Sequence, residues 1–327
     1  MRVRLESKSR KDIEKQQIEK LRYQLWWAYE NSPFYNKIYK QAKLDNIESM
    51  SDLKKIPMIT DAMLKEEVKS SGDPFANMLC VEIPYVFKNF SCSDFSMENR
   101  PYFFAYTHSD WEQLTNLVGS YWVEIGVKPG DVFMSTNANE NPSKFIMEYS
   151  IRYAGAIVLD SDKIPPVDGP RAIRLSTYVK PDILLVSFPI ADFLAAETQK
   201  ANNPELLNCY RIIIFTDGIL TKEKSDKYRK AGFIGEHYYF RYSYEPGFYA
   251  IDCKEHKGVH VAEDFYIAEV TDPETGEPVS NGEKGKLTIT NLSTRATPYI
   301  RFQTNDIVTK TEKPCGCGSN FARLMYG

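Results

Sequence analysis

Between residues 9 and 30 the chain is rich in Lys, Glu, Gln and Leu, and Ile13, Ile18, Leu21, Leu25 and Trp26 recur at loosely helical spacing. That pattern predicts a helix with one apolar face. Asn31-Ser32-Pro33 stops it, and a second short helix is expected over residues 34–43. Ser51-Asp52-Leu53 carries a helix-start signal, with Pro57 soon after. From about residue 110 the texture changes to helices alternating with short apolar runs. A helix over 110–125 ends in VKPGD, a strand covers 131–135, and a helix covers 142–153. AIVLD (156–160), DILLVS (182–187) and RIIIF (211–215) are β-branched runs with helical stretches between them. Such alternation predicts parallel βαβ units. After Tyr249 short strands (HVAEDFYIAEV, KGKLTITN, IRFQTNDIV) are separated by the turn signals DPETGEP and SNGEKG, which predicts an antiparallel, barrel-like appendage.

Composition narrows this picture without redirecting it. With 327 residues, 43% apolar and 13% aromatic, the chain is long enough for a large globular core. A net charge of −3 gives no electrostatic reason to expect nucleic acid or an anionic membrane as partner. No apolar run approaches a membrane span, and the charged N-terminus lacks the apolar segment of a secretory signal, so a cytoplasmic protein is expected. Six cysteines in such a chain then point to thiols or metal ligands more than to disulfides.

Three groups of residues carry chemical interest. Cys253 and His260 flank a turn in CKEHKGVH, and Cys315 and Cys317 flank Gly316 in PCGCG. Three thiolates and an imidazole would satisfy a closed tetrahedral zinc site, structural because four protein ligands leave no open position. Spacing alone leaves equally open that these are scattered loop residues, with His256 as well placed as His260. Glu245, in RYSYEPG, stands where the carboxyl end of a strand could hold Mg²⁺ beside a nucleotide, although loop carboxylates are more often simply solvated. Asp306, in FQTNDIV, suits ribose hydroxyls or an ordinary turn. His108 and His237 are isolated, and no Ser-His-Asp order, HExxH, GxSxG or Walker A sequence is present. Phe188, Phe240, Tyr242 and Tyr244 hint at a flat aryl ligand, although aromatic side chains are more often core.

Taken in order, WWAYENSPFYNKIYKQA, LKKIPMITDAMLKE, YVKPDILLVSFP, IIIFTDGILTKE, DPETGEPVSNGEKGKLTITNLSTRATPYIRFQTNDIV and PCGCG resemble the phenylacetate–CoA ligase family of the adenylate-forming enzymes across nearly the whole chain. The resemblance implies an α/β fold, the large N-terminal domain of that superfamily. It divides the chain into a helical entry segment (1–85), an AMP-binding-like core (86–249) and a β-rich zinc-bearing subdomain (250–327). The family joins a carboxylic acid to AMP and commonly passes the acyl group to coenzyme A. By the resemblance Glu245 falls on the Mg²⁺-associated glutamate, Asp306 on the ribose-binding aspartate, and Arg301 on the arginine before it. Tyr244 and Asp217 fall in the nucleotide-contacting segments. Cys253, His260, Cys315 and Cys317 match positions that bind zinc in relatives, which prefers His260 to His256.

The departures set the functional expectation. The family's phosphate loop, "SSGTTGKP", corresponds here to DFSMENRP (94–101), and the adenine-contacting "GAEP" to TDGI (216–219). Both glycines and both threonines of the loop are replaced, Asp94 and Glu98 add negative charge, and Arg100 alone keeps a cation. Backbone amides wrap a polyphosphate only where glycine permits close approach. The small C-terminal domain with its adenylation lysine is also expected to be missing. The expectation is an acyl-activating protein for a carboxylic acid or acyl-adenylate, impaired in autonomous ATP-dependent ligation, with AMP or ATP and Mg²⁺ as doubtful ligands. The alternatives are a ligand-binding scaffold with a carrier-protein or other protein partner, and an acyl transferase using a pre-activated donor.

Overall fold

The computed structural model describes residues 7–42, 47–91, 101–136, 142–160, 169–243 and 245–326. The chain divides into two compact units. The first gathers Met1–Gln113, Tyr242–Ala250 and Lys254–Gly327, and the second Leu114–Arg241 with Ile251–Cys253. The N-terminal helices and the C-terminal strands therefore belong to one unit.

In the first unit, α1 (Arg10–Asn31) starts at Ser9, whose side chain accepts from the Asp12 amide, and ends before Pro33, the first residue of α2 (Pro33–Ala42). Ile13, Ile18, Leu21 and Leu25 are buried as expected, but Trp26 is 52% exposed, because it lies a quarter-turn off the stripe that Leu21, Leu25 and Ala28 define. Two glutamines complete the stripe. Gln17 donates to the carbonyls of Glu263 and Tyr266, and Gln24 to that of Thr294, so neither is left unsatisfied in the core. The segment around Ser51 forms a short 3₁₀ turn, Met50–Lys55, closed by the Ser49–Asp52 capping box. A two-residue strand β1 (Ile59–Thr60) then leads into α3 (Asp61–Ser71), capped by Thr60 and terminated by Gly72 in the left-handed region. The strands β2 (Val86–Ser91) and β3 (Phe103–Thr107) form an antiparallel pair, followed by α4 (His108–Glu124), which belongs to the second unit from Leu114 on.

The second unit is a parallel α/β layer. It comprises β4 (Val132–Ser135), α5 (Pro142–Ile151), β5 (Ile157–Asp160), α6 (Gly169–Val179), β6 (Ile183–Val186), α7 (Phe188–Lys200), β7 (Ile212–Phe215), α8 (Lys222–Lys230) and β8 (Glu236–Ser243). The order β8-β7-β6-β4-β5 is parallel throughout. ILLV and IIIF are buried at every position, which is what a strand covered on both faces requires.

The chain returns to the first unit through β9 (Gly247–Ile251), β10 (Val259–Val261), β11 (Tyr266–Thr271), β12 (Lys284–Asn291), β13 (Phe302–Thr311) and β14 (Arg323–Tyr326). The order β11-β12-β13-β14-β10 is antiparallel, with β1 joining β13 in parallel. The expected appendage is thus an antiparallel sheet, and among the described residues its strand order is open rather than a closed ring. No helix among them is long and apolar enough to cross a membrane.

Candidate functional site

The four cysteine and histidine ligands come together. One ligand atom each from Cys253, His260, Cys315 and Cys317 lies within 4.8 Å of the others. Three chain segments build this arrangement. Cys253 directly precedes Lys254 of the first unit, and His260 is the middle residue of β10. Cys315 and Cys317 sit in a tight turn in which the Gly318 amide donates to the Cys315 carbonyl and the Cys315 amide to Ser319. Gly318 adopts φ +97°, a left-handed conformation that the turn obtains from glycine.

His260 is oriented by its outer nitrogen. Nδ1 faces the Phe321 carbonyl at 3.3 Å, which fixes the hydrogen there and leaves Nε2 turned to Cys317 Sγ, 3.4 Å away. Burial pushes the imidazole down to about 4, with the Phe321 carbonyl opposing and Arg323 adding to the effect, so the ring is neutral and can ligate. Tetrahedral zinc with ordinary bond lengths would separate a sulfur and a nitrogen ligand by about 3.6 Å, close to the observed contact. Residues and spacing fit zinc, and the cluster could hold a metal ion. His256 is exposed, with φ +48°, and is not among the four. None of the described cysteines is in a disulfide.

Glu245 is part of a different cluster. The Tyr102 hydroxyl stands 2.9 Å from its Oε1 and 3.0 Å from Asp61 Oδ1, and Ser243 Oγ donates to its Oε2 at 3.1 Å. Burial raises the Glu245 carboxyl above the usual range, and the nearby Asp61 charge adds to the rise. Asp306 accepts from the Tyr249 hydroxyl at 2.6 Å, and Tyr326 lies 3.3 Å from the same carboxylate oxygen.

Arg301 is placed otherwise than a ligand-facing arginine. It is 3% exposed, its Nε and one terminal nitrogen form a bidentate pair with Glu269 at 3.0 Å, and the other terminal nitrogen donates to the Ile56 carbonyl at 2.7 Å. Its backbone holds φ +50°, and its carbonyl accepts from the Ile59 amide, the first rung of the β1–β13 pairing. Burial raises the Glu269 carboxyl while Arg301 opposes the rise, and a bidentate geometry is what lets such a pair stay ionised.

In the second unit, Asp217 follows β7 at the carboxyl edge of the parallel strands, exposed, and accepts from the Phe188 amide at 2.7 Å. Phe188 stacks on Phe215, and Phe240 packs on Trp122 inside the core. Asp94, Glu98, Arg100 and the rest of 92–100 lie outside the described residues, as does Tyr244. His237 is held by Ser225 and the Phe233 carbonyl, a structural setting, and His108 is exposed beside Glu112.

No family model matches the chain. It is 26% identical to the phenylacetate-coenzyme A ligase of Thermus thermophilus over 336 residues, 98% of this chain and 71% of the relative. It is 24% identical to the Escherichia coli (strain K12) phenylacetate-coenzyme A ligase over 93% of this chain and 68% of the relative. Among solved structures, 2-hydroxyisobutyryl-CoA ligase in complex with 2-HIB-AMP and CoA superposes with a TM-score of 0.90 at 20% identity, covering 98% of this chain and 69% of the other. Over nearly its whole length the chain is thus similar to phenylacetate-coenzyme A ligases, and it shares the fold of 2-hydroxyisobutyryl-CoA ligase.

The motif resemblance points to Glu245 and Asp306 but not to what surrounds them. Tyr102, Asp61, Ser243, Tyr249 and Tyr326 have no pattern of their own in the sequence. The aromatic strand after DFSMENRP signals a buried β3, and from that alone a buried tyrosine needing a hydroxyl partner could have been inferred.

Proposed function

We propose that the chain is an acyl-activating protein of the phenylacetate–CoA ligase type that handles a carboxylic acid or acyl-adenylate near Glu245 and Asp306, and that is impaired in ATP-dependent ligation. The observation that carries this reading is the junction of loop and strand. DFSMENRP offers no glycine and two carboxylates, and it runs directly into Tyr102, whose hydroxyl takes up the Glu245 carboxylate. A carboxylate near a triphosphate opposes its binding unless a cation intervenes, and the glutamate expected to hold that cation already has protein partners. Arg100, Asp217 and Tyr244 belong to the same reading as contacts to whatever nucleotide part is bound. Arg301 serves it indirectly, by fixing the backbone ahead of Asp306.

In this reading the Cys253, His260, Cys315 and Cys317 set holds structural zinc, the protein is cytoplasmic, and the acid is aromatic or otherwise flat. Hydroxyl-capped Glu245 also favours a second reading, transfer from a pre-activated acyl donor or plain binding of such a ligand, with a carrier protein as partner, since neither needs a triphosphate. Pyrophosphate–ATP exchange by the purified chain with a panel of aryl and aliphatic acids tests the proposal. Exchange at background level is expected for every acid, and robust exchange with any of them removes the claim of impairment.

A further inference from the structure

Tyr102 is 1% exposed at the entry to β3, and its single hydroxyl hydrogen faces two carboxylates. A phenol donates one hydrogen, so at any moment one of the two contacts is an oxygen facing an oxygen. That contact is relieved when a proton resides on one of the carboxyls. Lys65, one turn along α3, pairs with the other oxygen of Asp61 at 2.9 Å. Asp61 therefore has a cation beside it, whereas Glu245 is met by the hydroxyls of Tyr102 and Ser243. Among the described residues, the buried tyrosines Tyr106 and Tyr299 are further titratable neighbours, and neither brings positive charge.

We infer that Tyr102 is a positioning residue for Glu245, whose hydroxyl fixes that carboxylate and competes with any divalent cation for it. The inference rests on the reading of Glu245 as the ligand-handling carboxylate. It goes further by naming the side chain that decides which partner Glu245 takes. A hydrogen bond to a charged group is strong enough to matter here, because a cation must displace it or share the carboxylate with it.

Mn²⁺ is the probe, titrated at mildly alkaline pH into the zinc-replete full chain and followed by solvent-proton relaxation, so that no turnover is needed. Tyr102→Phe keeps the ring in place and removes only the hydroxyl. It is expected to bind Mn²⁺ roughly tenfold more tightly than the natural chain, the scale of one charge-assisted hydrogen bond withdrawn from the competition. Adding Glu245→Gln to that variant is expected to abolish the gain. Difluorotyrosine placed at position 102 keeps the ring and strengthens the hydroxyl donor without changing the carboxylates, is expected to weaken Mn²⁺ binding, and decides the matter if Tyr102→Phe does not fold. Unchanged or weaker binding in a cooperatively melting Tyr102→Phe overturns the inference, as does a gain that survives Glu245→Gln, or unchanged or tighter binding with the fluorinated ring. Robust pyrophosphate exchange together with tighter Mn²⁺ binding in Tyr102→Phe would remove the impaired-ligase reading and leave the role of Tyr102 standing.

Discussion

The Cys/His cluster and the Glu245 cluster are built from the same kind of material and end up opposite in chemistry. Each gathers titratable side chains from distant segments. Around the cysteines the protein's own hydrogen bonds are spent on the outside of the cluster, on the Phe321 carbonyl by His260 and on backbone groups by the Cys315 turn. The inner lone pairs are thereby turned towards one another, ready for a metal. Around Glu245 the protein's hydroxyls are spent on the inside, on the carboxylate oxygens themselves. The residue types at a site therefore say less than the direction in which its supporting hydrogen bonds run.

The largest effect should come from the cysteine side. Cys315→Ser is expected to lower bound zinc from about one ion per chain to a trace and to bring a marked loss of thermal stability, since binding energy at a structural zinc site is folding energy. His256→Ala is the matched control and should leave metal content and melting unchanged. Metal analysis of the purified variants checks both. Equal zinc in Cys315→Ser and the natural chain would dissolve the contrast between the two clusters.

A smaller effect is expected from the Glu245 side, and its sign is distinctive. Burial holds the folded carboxyl above its unfolded range, so between the two values the folded chain binds more protons than the unfolded one. This group's contribution to stability is therefore most favourable below its ordinary pKa of 4.5 and is lost as pH rises through the folded value. Glu245→Gln keeps an acceptor for Tyr102 without the charge. It should be at least as stable as the natural chain at mildly alkaline pH, with a flatter dependence of stability on pH. Denaturant titrations of both chains at several pH values check this, and a variant less stable than the natural chain at mildly alkaline pH, or one with an equally steep pH dependence, would contradict it.

Much of this was readable from local pattern. ILLV and IIIF announce parallel strands because burial on both faces leaves no polar position to confuse the signal, and IVLD reads as a strand from its β-branched run although it lies at the sheet edge with Ile157 exposed. PCGCG announces a tight turn presenting two thiols. The α1 face was legible through Leu25 and failed at Trp26, since a loosely spaced apolar residue reads as core until a neighbouring glutamine, Gln17 or Gln24, is seen to fill the stripe instead. Which partner each candidate carboxylate meets was not legible. Tyr102 and Glu245 are separated by 143 positions, and Arg301 and Glu269 by 32, and no periodicity records who meets across such distances. An arginine before an aspartate reads as a ligand contact until its guanidinium is found buried on a carboxylate of its own sheet.

The central claim is that the place of the phosphate loop no longer supports a triphosphate. Calorimetric titration of the full chain with ATP and Mg²⁺, and separately with AMP, tests it most directly. AMP is expected to bind at least as tightly as ATP, because DFSMENRP offers two carboxylates and no glycine where the resemblance puts the phosphate loop. ATP binding clearly tighter than AMP, and strengthened by Mg²⁺, would contradict the account.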